Sequence, residues 1–227
     1  MRPGLDKGVL RGVYDRVAKR YDVQHALATV RTDQRGRRML VDAAVQDGDF
    51  VLDAGGGTGS TALLAAQATG ADGRVILLDL SRGMLDVARD RVRKAGLGAR
   101  VLFELGDIMR LPFREAVFDV VLSTYSVCPL GDPADGAVEL YRVLKPGGKL
   151  GIAHSAEPSE GILGFLVSEI ENAAWRWPML SLGCRPVSVL PSLMALGAER
   201  IFERRIGVLW PFQVFVVKKP LVTNFAV

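Results

Sequence analysis

The sequence predicts a doubly wound α/β fold with a mostly parallel sheet, and three observations carry that prediction. Between residues 50 and 155, short apolar runs of strand length alternate with stretches of helical length and spacing. The first apolar run stops at a glycine-rich turn, Gly55-Gly56-Gly57-Thr58-Gly59. Two further apolar runs close the chain with a short connection between them, which predicts an antiparallel hairpin. Strands separated by single helices imply right-handed crossovers, hence a parallel sheet with helices on both faces.

Taken in order, Val9, Val13, Tyr14, Val17 and Tyr21 recur at three- and four-residue intervals and predict an amphipathic helix over 8–21. A second helix over about 32–45 ends before the turn signal Asp47-Gly48-Asp49. Phe50–Ala54 reads as a buried parallel strand, because it is apolar without alternation. Ser60–Thr69 is a helix, Arg74–Leu80 a strand, and Ser81–Lys94 a helix with Ser81 as its cap. Val101–Leu105 and Phe118–Thr124 are strands, and Pro133–Leu144 is a helix with proline in its first turn. Lys145-Pro146-Gly147-Gly148 makes a turn into the strand Lys149–Ser155. Beyond it, Gly161–Trp175 has helical spacing through Ile162, Leu163, Phe165, Leu166 and Ile170. A turn-rich stretch, a short helix at Ser192–Leu196, and strands at Ile201–Ile206 and Phe212–Val217 complete the chain. With no repeat or linker, one domain over 1–227 is expected: a helical cap (1–45), a core (46–158), and terminal helices with the hairpin (159–227).

At 49% hydrophobic and 24% charged, the chain has the composition of a globular protein with a full core. No uninterrupted apolar run approaches the roughly 18 residues of a spanning helix, and the first residues lack a secretory pattern. Cys128 and Cys184, far apart in sequence, are expected to be reduced thiols of a cytoplasmic protein, neither a disulfide framework nor a metal site. Charge is concentrated: residues 1–38 hold ten Lys or Arg against four Asp, in a chain whose total is only +4. Such a segment is either a solvated helix face or a contact for an anionic membrane surface or an acidic substrate. Nucleic acid is disfavoured, because no aromatic-interleaved basic stripe accompanies the charge.

The candidate chemistry sits at strand ends. Glycines at 55–59 let the backbone turn tightly and bring a ligand against main-chain N–H groups at the next helix. A dinucleotide fingerprint would place its third glycine one residue later than Gly59, where Ser60 stands. Asp79 ends the second strand, where a carboxylate accepts hydrogen bonds from both hydroxyls of a ribose; the alternatives are a helix cap or a solvated strand end. Asp107, after the third strand, is placed to accept from an adenine amino group, with Ile108 as an apolar wall.

These residues resemble the class I S-adenosylmethionine-dependent methyltransferases, and most closely the UbiE-like group of ubiquinone and menaquinone biosynthesis. The likeness spans about residues 12–158. It includes Tyr14-Asp15 and Tyr21-Asp22, Leu52 to Gly59, Asp79-Leu80-Ser81-Arg82-Gly83-Met84-Leu85, and Gly106-Asp107 with Leu111-Pro112-Phe113. It continues through Phe118-Asp119-Val120-Val121 and Arg142-Val143-Leu144-Lys145-Pro146-Gly147-Gly148. The resemblance implies a Rossmann-like sheet of seven strands with the last reversed, and S-adenosylmethionine as cofactor, leaving as S-adenosylhomocysteine. It implies that Gly55, Gly57, Thr58 and Gly59 cradle the methionine part and that Asp79 holds the ribose. Leu80 and Met84 would flank adenine, Asp107 and Ile108 would meet its edge, Ser123 and Thr124 would face the sulfonium, and Tyr21 would cover the cofactor. Asp53 would orient the turn.

The sequence departs from that group where an acceptor pocket is shaped. Residues 24–30 read Gln-His-Ala-Leu-Ala-Thr-Val in place of a serine-glycine-histidine-tryptophan stretch. The loop Tyr125-Ser126-Val127-Cys128-Pro129-Leu130 replaces glycine-leucine-arginine-asparagine, and the chain after Pro158 departs almost wholly. The expected acceptor is a small hydrophobic or lipid-like molecule such as a quinone or phenolic ring. The apolar Gly161–Trp177 stretch, Leu180–Leu196 and Trp210-Pro211-Phe212 would enclose it, unless they are simply core. With the basic N-terminus this keeps a phospholipid-amine N-methyltransferase open, together with contact at a membrane surface. His154 is the first candidate base, because an imidazole titrates near neutrality; Tyr21 and Tyr125 are the other catalytic candidates, and His25, Tyr14 and Glu157 are weaker ones. No metal ligand set is expected. The rivals are an NAD(P)-dependent oxidoreductase, disfavoured by glycine spacing, and a module that binds S-adenosylmethionine without catalysis.

Overall fold

The computed structural model describes residues 4–29, 32–157, 169, 177, 181–207 and 211–221. Seven strands form one sheet: β1 (Phe50–Ala54), β2 (Arg74–Asp79), β3 (Val101–Leu105), β4 (Phe118–Thr124), β5 (Leu144–Ser155), β6 (Glu199–Ile206) and β7 (Phe212–Lys218). Their spatial order is β3-β2-β1-β4-β5-β7-β6. The first five run parallel, while β7 is antiparallel to both β5 and β6. This is the predicted mostly parallel sheet with its last strand reversed. The strand order switches direction between β1 and β4, which opens a crevice at their carboxyl ends.

Alternation along each strand divides the core into two layers. Val51, Val120 and Leu122 face α3 (Thr32–Ala44), α4 (Ser60–Ala68) and α5 (Arg82–Lys94) through Leu40, Val41, Ala62, Ala65, Leu85 and Ala88. Leu52, Val121 and Ile152 face α6 (Pro133–Arg142) and α7 (Leu190–Ala195) through Ala137, Leu140, Leu190 and Leu193. A leucine taken wholly out of water, as Leu40, Leu52, Leu122 and Leu140 are, contributes about 1.5–3 kcal/mol. The strand middles are therefore committed to packing, and only their ends are free to carry chemistry. Helix α5 shows how local sequence sets a boundary: the Ser81 hydroxyl accepts from the Met84 N–H at 3.1 Å, and Arg91, Arg93 and Lys94 sit in the last turn, opposite the dipole's negative end.

Two predicted elements differ. The helix expected over 8–21 is two helices, α1 (Lys7–Val17) and α2 (Tyr21–Thr29), separated by a turn in which the Arg20 N–H bonds the Val17 carbonyl at 2.8 Å. The break lets Val13, Val17 and Tyr21 pack into one small cluster with Met84 and Leu182. The expected turn Lys145–Gly148 is instead carried inside β5, where pairing with β4 jumps from Phe118–Leu144 to Val120–Lys149. The extra residues are tolerated because Gly147 N–H and Gly148 C=O find partners on Lys219 at 2.8 and 2.9 Å. The helix expected over Gly161–Trp175 lies outside the described residues, Glu169 apart. Among the described residues no helix is long and apolar enough to cross a membrane.

Candidate functional site

A pocket with about 700 Å³ of empty space, mouth included, lies at the carboxyl ends of β1, β2 and β4 beneath α1 and α2. Glycines, two carboxylates and apolar side chains line it, the mixture found in small-molecule sites. Its floor is the glycine turn. At Gly57, φ is 55° and an added Cβ would project into open space, with no atom within 4 Å. A side chain there would be both strained and inside the pocket. Gly59 has a different reason to be glycine and is absent from the pocket wall. It caps α4 at φ 85°, and a Cβ would press on Leu77 and Ala88 at 3.3 Å. The structure thus places Gly59, expected in the cradle, where α4 packs closely on β2 and α5.

Asp79 ends β2 beside the turn, buried, accepting the Gly57 N–H at 2.8 Å and the Ser81 N–H at 2.9 Å. Burial pushes its carboxyl up to about 6, with both N–H bonds working in the opposite direction. Gly55, Thr58, Leu80, Met84, Asp107 and Ile108 line the pocket around it. Asp107 accepts the Met109 N–H at 3.0 Å, and its other oxygen meets Lys7 Nζ of α1 at 2.7 Å. Neighbours on β4 point to opposite faces. Thr124 lines the pocket, whereas Ser123 is fully buried behind it with its hydroxyl 2.5 Å from that of Ser126. Ser126 occupies the wall in place of Ser123.

Arg37, which in the sequence is one of a run of basic residues, is 5% exposed and lines the pocket. Its guanidinium reaches the Thr61 and Thr124 hydroxyls at 2.9 and 2.5 Å and lies 5.1 Å from the centre of the Tyr125 ring. Its Nε is 3.8 Å from Asp33 Oδ2. A signal for this was present: Asp33, Arg37, Leu40, Val41 and Ala44 share one helical stripe, and all are buried. A buried cation on an apolar stripe marks a partnered or functional group.

Among the catalytic candidates, Tyr21 and Tyr125 line the pocket and His154 does not. Burial pushes both phenols well above their ordinary pKa, so they are hydrogen-bond donors at neutral pH and not bases. Tyr125 has φ 60°, an uncommon conformation for a side-chain-bearing residue, held by its N–H on the Ala153 carbonyl at 2.7 Å. The structure places His154 away from the pocket wall. Its ring is wholly buried on the α6–α7 face, edge-on to Phe215, with Nδ1 2.9 Å from the Ser155 carbonyl. Burial lowers its pKa, so it remains neutral. The other histidine, His25, stacks on Tyr21 at 5.2 Å, lies 5.4 Å from the Tyr125 ring, and has Nδ1 3.1 Å from Asp33 Oδ2. Of the residues expected to enclose an acceptor, Phe212 is buried against Tyr125 and Trp177 is 69% exposed; Trp175 and Trp210 lie outside the described residues.

Two aspartates hold the roof down. Asp15 of α1 accepts the Ser81 hydroxyl at 2.6 Å and the Gly83 N–H at 3.1 Å. Asp22 of α2 accepts the Thr58 hydroxyl at 2.6 Å and Arg91 at 2.8 Å. Arg91 also donates to the Thr58 carbonyl and to the Ser60 hydroxyl, tying α2, the glycine turn and α5 together. Tyr14 adds a bond from its hydroxyl to the Leu182 carbonyl at 2.9 Å.

Known proteins are similar to this chain in sequence and in fold. The chain is 34% identical over 152 residues to a demethylmenaquinone methyltransferase of Lactobacillus johnsonii, covering 66% of this chain and 62% of that protein. It is 37% identical over 154 residues to the ubiquinone/menaquinone biosynthesis C-methyltransferase UbiE of Stenotrophomonas maltophilia, covering 67% and 61%. The chain thus spans about three fifths of the length of these curated relatives. In fold it is similar to the [4+2]-cyclase SpnF (TM-score 0.66, 22% identity, 83% and 82% covered). It is also similar to a S-adenosylmethionine-dependent methyltransferase of Aquifex aeolicus (0.61, 19%, 94% and 98%). A model of the ubiE/COQ5 methyltransferase family matches residues 4–166, well over half of the chain, and the chain belongs to that family.

Proposed function

We propose that the chain is an S-adenosylmethionine-dependent methyltransferase acting on a small hydrophobic acceptor with a quinone-like or phenolic ring. The observation that carries this reading is the pairing of Gly57, open to the pocket, with the buried carboxylate of Asp79 2.8 Å from its N–H. Family membership and the quinone C-methyltransferases among the relatives support the acceptor class. The residues fit the cofactor. Asp79 offers a carboxylate to ribose hydroxyls, Leu80, Met84 and Ile108 offer apolar surface to adenine, and Arg37 offers a buried cation to the methionine carboxylate. When bound, the cofactor supplies a methyl group already activated on a sulfonium.

The chain's part is then alignment and exclusion of water, which can contribute several kcal/mol on the scale of about 7–11 for well-oriented reactions. Asp15 and Asp22 hold α1 and α2 over the pocket, and Tyr21 and Tyr125 close its inner end with protonated phenols. Where an acceptor must lose a proton a base is needed, and among the described residues neither histidine stands on the pocket wall; His25 packs behind it on the rings of Tyr21 and Tyr125. A fold neighbour described as a [4+2]-cyclase is a reminder that a shared fold leaves the reaction open.

Thermal-shift assays with S-adenosylhomocysteine and with NADH test the cofactor: stabilisation by NADH alone sinks the reading. Labelled S-adenosylmethionine offered with quinone, phenol, amine and phospholipid acceptors tests the reaction. Label in a ring carbon or phenolic oxygen is expected. Label in a phospholipid amine overturns the acceptor class, and binding without consumption of any acceptor favours a non-catalytic module.

A further inference from the structure

The two cysteines, distant in sequence, meet in space. Cys128 lies in the loop after β4, fully buried, with its sulfur accepting the Ser155 N–H at 3.2 Å. The thiol of Cys184, half-buried, shares a side-chain hydrogen bond with it, and both pack in one apolar cluster. Their backbones are clamped as well: the Arg185 guanidinium, 3% exposed, donates to the Cys128 carbonyl at 3.1 Å and the Leu130 carbonyl at 2.8 Å. Val187 N–H bonds the Ser155 carbonyl at 3.2 Å. Both are free thiols, and the fold brings them together although they are 56 residues apart in sequence.

We propose that Cys128 and Cys184 form a redox modification site, at which a peroxide-class oxidant makes a disulfide that weakens ligand binding in the adjoining pocket. The effect on binding rests on the cofactor reading above. The position supports a link to the pocket, because Pro129 and Leu130, next to Cys128, line it. Leu182, two residues before Cys184, accepts the hydroxyl of the pocket residue Tyr14 at 2.9 Å. Leu182 already sits at φ 53°, a conformation that costs a residue with a side chain. Hydrogen bonding from Cys184 and Ser155 holds the Cys128 thiol below its ordinary pKa, which favours the attacking thiolate.

In the first step the sulfur of Cys184, the less buried residue of the two, attacks one peroxide oxygen. The O–O bond breaks, Cys184 becomes a sulfenic acid, and the other oxygen leaves as water with the thiol proton. The sulfur of Cys128 then attacks that of Cys184, and the S–OH bond breaks as water departs with the Cys128 proton. Two thiols lose two electrons to one peroxide, and two waters form. An S–S bond of about 2.05 Å is shorter than a thiol–thiol hydrogen bond, so it draws 181–187 against the loop after β4.

The test treats the reduced full chain with hydrogen peroxide and then with iodoacetamide, followed by peptide mass spectrometry and titration with S-adenosylhomocysteine. Expected are loss of two hydrogens, a Cys128–Cys184 cross-linked peptide, and at least tenfold weaker binding that dithiothreitol restores. Cys184→Ser should bind like the reduced chain before and after peroxide, and Cys128→Ala serves if that variant does not fold. Sulfinic acid without a cross-link overturns the site, and a cross-link with unchanged affinity overturns its effect on the pocket. A reduced chain that fails to bind at all overturns the cofactor reading and the effect on binding with it, and the cross-link still decides whether the thiols form the site.

Discussion

The two walls of the pocket are built by different means. The strand wall, Gly55 to Thr58 with Asp79 and Asp107, is made by backbone geometry within a few residues of a strand end. The helical wall, from α1, α2 and α3, is made by side chains that reach across the fold: Asp15 to Ser81, Asp22 to Arg91, and Arg37 to Thr61 and Thr124. The first is legible from short motifs and rigid by construction. The second has affinity and geometry that can be altered by changing one distant charge.

Arg37→Met should separate the walls most sharply. It removes the cation that faces the Asp33 carboxylate, and breaking a buried pair from one side costs about 3–5 kcal/mol. Urea unfolding should show a loss on that scale, and calorimetric titration should show weakened binding of S-adenosylhomocysteine. Full affinity in a variant so destabilised would mean that the helical wall only closes the pocket and does not hold the ligand.

The walls are also coupled through Asp53, buried beneath the glycine turn. Burial raises its carboxyl to about 7, and the nearest opposing influence is the Arg37 cation. A carboxyl raised on folding favours the folded state when protonated. Its contribution is full below the unfolded value of 3.8 and is lost as pH rises through about 6–7, the window in which Asp79 also ionises. At ~1.4 kcal/mol per pH unit the slope is measurable. Asp53→Asn should flatten stability between pH 4 and 7, by something on the order of 4 kcal/mol across that range. An unchanged pH profile would remove Asp53 as the titrating group.

Asp79→Ala tests the strand wall alone. Hydrogen bonds to a charged group contribute about 1.5–3 kcal/mol, so binding of S-adenosylhomocysteine should weaken about 10- to 100-fold. Asp79→Asn should lose less, because it keeps one acceptor oxygen. Equal affinity in the alanine variant would leave the ribose contact without support.

What the sequence disclosed follows the same division. Periodicity found all seven strands within a few residues, and strand-end position found Asp79 and the open Gly57, because local rules govern both. The spacing of glycines does not say whether a missing side chain makes room for a molecule or, as at Gly59, for Ala88. Residue type does not separate Ser123 from Thr124, whereas alternation places only Thr124 at the pocket. His154 attracted attention by residue type, but the parity of β5 turns it toward Phe215. Arg37 and the break before Tyr21 depend on contacts between α1, α2, α3 and the sheet, and a local motif carries no record of such contacts.

The smallest effect should come from Arg91, and it asks whether the walls move independently. Arg91 and Asp22 are 34% and 44% exposed, so their ion pair contributes no more than about 1 kcal/mol to stability. Arg91 also bonds the Thr58 carbonyl and the Ser60 hydroxyl, however, and Thr58 stands on the pocket wall. Arg91→Ala should therefore leave the thermal midpoint nearly unchanged while α2 loosens over the glycine turn. Hydrogen exchange at α2 amides should speed up, and binding of S-adenosylhomocysteine should weaken a few-fold through faster dissociation. If the α2 amides exchange faster with no change in dissociation, the roof and the cradle are mechanically separate. If neither changes, Asp22–Thr58 alone holds α2 in place, and the Thr58→Val variant becomes the one that lifts it.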